Sequence, residues 1–111
     1  MTTTYSITTD SNGHFYTSQT FQPPVPFSLN ANLYVTFTLN GATSIDCSVL
    51  LSSQGNQPQS KTFTGPVGQK VSLGTWHIVK ADSMLVVHGA TTPSLPNVTF
   101  SVVMEADFAS F

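Results

Sequence analysis

Apolar and hydroxyl-bearing residues alternate along most of this chain. Leu33-Tyr34-Val35-Thr36-Phe37-Thr38-Leu39 and Val98-Thr99-Phe100-Ser101-Val102-Val103-Met104 are the clearest runs. A period of two belongs to a β-strand with one dry face and one wet face. No apolar set recurs at i, i+3 and i+4 over a long window, so no helix is expected. The segments expected to be extended are 3–9, 14–22, 25–29, 31–39, 43–51, 60–64, 69–73, 75–80, 84–88 and 97–108, some of which should merge. Turn signals separate them: Asp10-Ser11-Asn12-Gly13, Pro23-Pro24, Asn40-Gly41, Gln54-Gly55-Asn56, Gly65-Pro66, Ala81-Asp82-Ser83 and Thr92-Pro93-Ser94-Leu95-Pro96. Short strands at this spacing imply an all-β, antiparallel sandwich or jelly roll.

Phase also assigns the core. Leu33, Val35, Phe37, Leu39, Ile45, Cys47, Val49, Leu51, Val71, Leu73, Trp76, Ile78, Val98, Phe100, Val102 and Met104 should point inward. If the strands on either side of Asn40-Gly41 pair directly, a three-residue loop keeps the dry face dry. It pairs Phe37 with Ile45, Val35 with Cys47 and Leu33 with Val49. Phe108 and Phe111 form an aromatic tail expected to dock on this subunit or a neighbour.

Composition narrows the function. The 111 residues suit one domain, 1–111, with a sizeable core. There are 30 Ser and Thr residues, no Arg, and only Lys61, Lys70 and Lys80; the formal net charge is −2. Without a basic stripe to neutralise phosphates, no nucleic-acid partner is expected. No apolar run approaches the ~20 residues of a membrane helix, so no membrane insertion is expected. Met1-Thr2-Thr3-Thr4-Tyr5 has neither a basic region nor an apolar one, so no signal peptide is read. The expectation is a chain that is cytoplasmic at synthesis, one exported by a route without a signal peptide, or a mature or excised domain. A surface so weakly charged repels its own copies weakly, which favours a homo-oligomer.

Few residues suggest reaction chemistry. Cys47 lies in phase with Ile45 and Val49 and reads as a buried apolar residue. Glu105 and Asp107 share a wet face, and paired carboxylates can hydrolyse glycosides, but the bland reading is a solvated strand end. His14, His77 and His88 have no metal-ligand spacing, and no metal or cofactor is expected. Neutral sugars fit the composition better. A site for them needs an aromatic platform and a few polar groups. Tyr5, Tyr16, Tyr34 and Trp76 are the candidate platforms, and Trp76 by its phase belongs to the core.

Three stretches carry a resemblance. Gly74-Thr75-Trp76-His77-Ile78-Val79-Lys80, with Met84 four residues after Lys80, resembles a Gly-x-Trp-x-x-Val-Arg segment of bacterial tumour-necrosis-factor-like lectin domains. Thr17-Ser18-Gln19-Thr20-Phe21 resembles a Thr-Ser-Glu-Thr-Tyr run of that family. Ile45-Asp46-Cys47-Ser48-Val49 through Gln54-Gly55 resembles a strand followed by a Gln-Gly turn. The matches keep their order over residues 17–88. The resemblance implies a trimeric jelly roll that binds fucosylated sugars between neighbouring protomers. Lys80 stands where the family has a clamping Arg, keeping the charge but losing its two-pronged donor geometry. Asp46 stands at a Tyr of the site and Thr64 at a Thr, while Gly65 replaces a neighbouring Tyr. Val87 and His88 fall on an acidic-hydroxyl pair, and a loop with a second Arg is missing near 65–68.

The implied function is a non-enzymatic lectin, with glycans held by Lys80, Asp46, Thr64 and His88 in clefts of a homotrimer. The alternative is a structural or assembly module, self-associating and without a small ligand.

Overall fold

A computed structural model describes residues 2–21, 29–53, 58–78 and 83–108. Eight strands run through them: β1 (Thr2–Thr8), β2 (His14–Phe21), β3 (Leu29–Thr38), β4 (Ser44–Ser53), β5 (Gln59–Pro66), β6 (Val71–Ile78), β7 (Ser83–Thr92) and β8 (Thr99–Phe108). There is no helix among the described residues, hence none long and apolar enough to cross a membrane. The expected strand at 25–29 falls largely on residues 22–28. These residues, together with Lys80, Phe111 and the Phe108 side chain, lie outside the described residues.

The strands form two antiparallel sheets of four. The first has the order β1-β8-β3-β6 and the second β2-β7-β4-β5. Together they make an all-β sandwich. Most hydroxyl residues of the strands face out, Thr17 and Thr91 being buried exceptions, and most apolar ones meet between the sheets. Of the residues assigned inward by phase, Leu33, Val35, Phe37, Leu39, Ile45, Cys47, Val49, Leu51, Leu73, Trp76, Phe100, Val102 and Met104 are buried. Val71 and Val98 are partly buried against them, and the Ile78 side chain lies outside the described set.

Four phenylalanines weld the sheets. Phe15 meets Phe100 edge-on at 5.2 Å between centroids, and Phe37 lies 6.3 to 6.5 Å from Phe15, Phe63 and Phe100. Such pairs add about 0.5–1.5 kcal/mol each beyond area burial.

The condition set for the Asn40-Gly41 loop is not met, and two adjacent segments merge as expected. β3 and β4 do not pair across Asn40-Gly41; the chain crosses there from the first sheet to the second. Phe37 and Ile45 face the same core from opposite layers, which satisfies the hydrophobic phase as well as a hairpin would. The expected segments 69–73 and 75–80 merge, over Val71–Ile78, into one strand, β6, interrupted by a bulge. Leu33 pairs with Gly74 and Tyr34 with Ser72, leaving Leu73 as the extra residue. Gly74 has φ +80°, a conformation glycine adopts without cost. The bulge turns both Leu73 and Trp76 inward, and the Trp76 indole N–H donates to the Leu73 carbonyl at 2.8 Å.

Candidate functional site

The outer face of the second sheet carries most of the implied sugar-binding residues. Register sets them in two rows. His14, Ala90, Asp46 and Thr64 form one; Tyr16, His88, Ser48 and Thr62 form the next. Four strands at ~4.8 Å spacing make each row roughly 14 Å long. The Thr64 hydroxyl donates to Asp46 Oδ1 at 2.7 Å, and the hydroxyls of Ser48 and Thr62 bond at 2.8 Å.

This face is hollow at Ala90, the small outward side chain between His14 and Asp46, while Gly89, in register with the buried Phe15 and Cys47, belongs to the inner side. Gly89 and Ala90 stand between β2 and β4. A Cβ on Gly89 would run into the Asp46 carbonyl oxygen, so only glycine lets β7 and β4 approach this closely. The face holds an open groove of about 630 Å³, with Ala90 in the middle, Tyr16 and His14 on one flank and Thr62 and Asp46 on the other.

Local structure sets the His14 end. The Asp10 carboxylate accepts the backbone N–H groups of Asn12 at 2.8 Å and His14 at 3.0 Å. These two donors hold Asp10 below its ordinary carboxylate value. The buried Thr9 hydroxyl donates to the Leu95 carbonyl at 2.6 Å and accepts the Val98 N–H at 2.9 Å. The buried Thr91 hydroxyl accepts the Leu95 N–H at 2.9 Å. Both hydroxyls thereby pin the 93–98 loop beside the Asp10 turn.

The groove suits an uncharged ligand. Tyr16 is 66% exposed and presents an aromatic face. Asp46 accepts, the hydroxyls and imidazoles donate or accept, and among the described residues no lysine lines the groove. No cation among the described residues pairs with Asp46. Among the described residues, no three His, Cys, Asp or Glu side chains gather to hold a metal. Asp46, Ser48 and His88 share the face, but the first two bond to Thr64 and Thr62. Among the described residues no hydrogen bond links His88 to either, so no nucleophile–base chain is assembled.

The structure therefore brings Asp46, Thr64 and His88 onto one face, while Lys80 lies outside the described residues. Val87, the other half of its matched pair, is buried. Of the candidate platforms, Tyr5 and Trp76 are core residues and Tyr34 lies under the Lys70 ammonium, 4.7 Å from its ring centre. Sequence reasoning did not select His14, Ser48 or Thr62. Alternation put them on wet faces, but no local signal places β2 beside β7. Glu105 lies on the other sheet and pairs with Lys70 at 3.0 Å.

Fold and site define a small β-sandwich with an aromatic, hydroxyl-lined groove on one sheet. Compared with known protein families and with characterised proteins, the sequence matches none.

Proposed function

We propose that this protein is a non-enzymatic carbohydrate-binding module of jelly-roll type that acts as a homotrimer. The observation that carries the reading is the exposed Tyr16 ring beside Asp46–Thr64 and His88, on the face that holds the groove. A sugar ring lays its apolar face on the aromatic ring while its hydroxyls exchange hydrogen bonds with the carboxylate and the hydroxyl ladder. Fucosylated glycans are the first ligands to test, following the lectin resemblance, with Lys80 as a further contact.

The jelly-roll assignment rests on the strand order. The chain alternates between sheets at every connection except β4 to β5, and each sheet interleaves early and late strands. Self-association is supported by the lower half of the same face. Met84 is 42% exposed there, and the half-buried Val86 and Leu50 lie directly opposite each other in register. This apolar stretch also favours the second reading, an assembly module without a small ligand.

A glycan array and titration calorimetry separate the two readings. Tyr16→Ala and Asp46→Ala should each weaken glycan binding at least about tenfold, or roughly 1.4 kcal/mol. Tyr16 is exposed, so its removal should leave stability within about 0.5 kcal/mol. Light scattering on the same samples should give three times the chain mass. An array without reproducible binding, beside an intact trimer, favours the assembly module; a monomer removes any site between protomers.

A further inference from the structure

The opposite face of the sandwich carries a second set of polar groups that the groove does not use. Asp107, Asn32 and Thr75 stand in one row across β8, β3 and β6, and Asn30 pairs with His77 in the next. A shallow depression of about 260 Å³ lies over Asn30, Asn32, Thr75 and Asp107. The geometry points to a second site for a neutral sugar here, recognised through a pair of adjacent hydroxyls and independent of the Tyr16 groove.

The hydrogen bonds orient the two amides. The Thr75 hydroxyl donates to Asn32 Oδ1 at 3.0 Å, and the His77 ring donates from Nδ1 to Asn30 Oδ1 at 3.1 Å. Each carbonyl end is thereby engaged within the sheet, which leaves each NH₂ group as the outward donor. His77 is braced in turn. The Gln59 side chain, reaching from the second sheet, donates to the His77 carbonyl at 2.7 Å and accepts its N–H at 2.8 Å. A side-chain amide thus serves as the strand partner β6 lacks at this edge.

Asp107 supplies the acceptor. It is exposed and makes no hydrogen bond or ion pair among the described residues. Among the described residues the nearby cation, Lys70, is already engaged by Glu105 and the Tyr34 ring. A phosphate or carboxylate would meet the Asp107 charge with no free cation among the described residues of this face to compensate it. An ammonium group would satisfy Asp107 but face two donor NH₂ groups. A hydroxyl donates and accepts at once: one donates to Asp107 and accepts from Asn32, and its neighbour accepts from Asn30. Adjacent hydroxyls on a neutral ring satisfy all three side chains.

Titration of the ¹⁵N-labelled full chain with methyl glycosides of neutral hexoses and 6-deoxyhexoses tests this site. Inorganic phosphate and methylamine serve as charge controls. The Asn30 and Asn32 side-chain amide signals should shift with at least one glycoside and with neither control. Asp107→Ala and the isosteric Asn32→Asp should each weaken that response at least about tenfold. Tyr16→Ala should leave it unchanged, and neither variant should alter shifts at Ala90 in the groove. The two sites therefore fail separately. Amide signals that stay still up to the solubility limit of every glycoside would overturn the inference, as would a response to methylamine alone or one that survives Asp107→Ala.

Discussion

Tyr5 is buried in the core, its hydroxyl without a hydrogen-bond partner among the described residues, and burial raises its pKa. A desolvated hydroxyl without a hydrogen bond costs free energy that its ring does not. Tyr5→Phe should therefore leave the fold intact and stabilise it by up to about 1 kcal/mol in urea denaturation. Cys47 and Asp46 show how sharply one residue step divides chemistry. Cys47 faces the core, where burial pushes its thiol up to about 12, and it is inert as a nucleophile. Its neighbour Asp46 faces the groove. At this scale alternation was readable: Leu33, Val35, Phe37, Ile45, Cys47 and Val49 all lie where their phase put them. Leu85 and Val87 were not assigned, because Met84-Leu85-Val86-Val87 is apolar at every position and carries no phase. The structure buries Leu85 and Val87 and leaves Met84 exposed. Phe15 and Ala106 were missed for another reason. Phe15 lies between His14 and Tyr16, and Ala106 between two acids, where single apolar residues make weak patterns.

Strand β7 is the element on which the groove depends. It is central in its sheet, paired with β2 on one side and β4 on the other. Its small outward residue, Ala90, falls where the concavity is. Gly89→Ala should force β7 away from the Asp46 carbonyl, costing about 1–3 kcal/mol by thermal or urea unfolding and weakening any groove ligand. A variant of wild-type stability would show that β7 and β4 can part without strain. In β6, the Gly-x-Trp pattern that supports the lectin resemblance has a sufficient local cause. Gly74 takes the positive φ of the bulge, and Trp76 fills the core beside Leu73. That motif reports on packing, so the ligand must be argued from the groove.

Across the whole molecule, with so few charges, pH acts through a handful of groups. Asp10 is held below its ordinary value of 3.8, so its contribution is present above that value and lost as pH falls through the lowered one. Tyr5 and Cys47 are raised from 10.0 and 9.0. Their contributions are full below those values and are lost as pH rises and the unfolded chain ionises first. Urea midpoints should therefore hold level from about pH 5 to 8 and decline toward both extremes. Cys47→Ala should flatten the alkaline decline specifically; an unchanged alkaline slope would show that the thiol is not its source.

The alternation of apolar and hydroxyl residues determined without help that the chain is all-β and which side of most strands is dry. A strand's two faces are encoded in its own residues. Which strand lies beside which was decided only by the tertiary structure. The phase of Phe37 and Ile45 is met equally by one sheet or by two facing layers, and only the crossing after β3 separates these cases. The groove follows from that choice. His14, His88, Asp46 and Thr64 come from four strands, and they share a face because backbone hydrogen bonds between distant segments put them there.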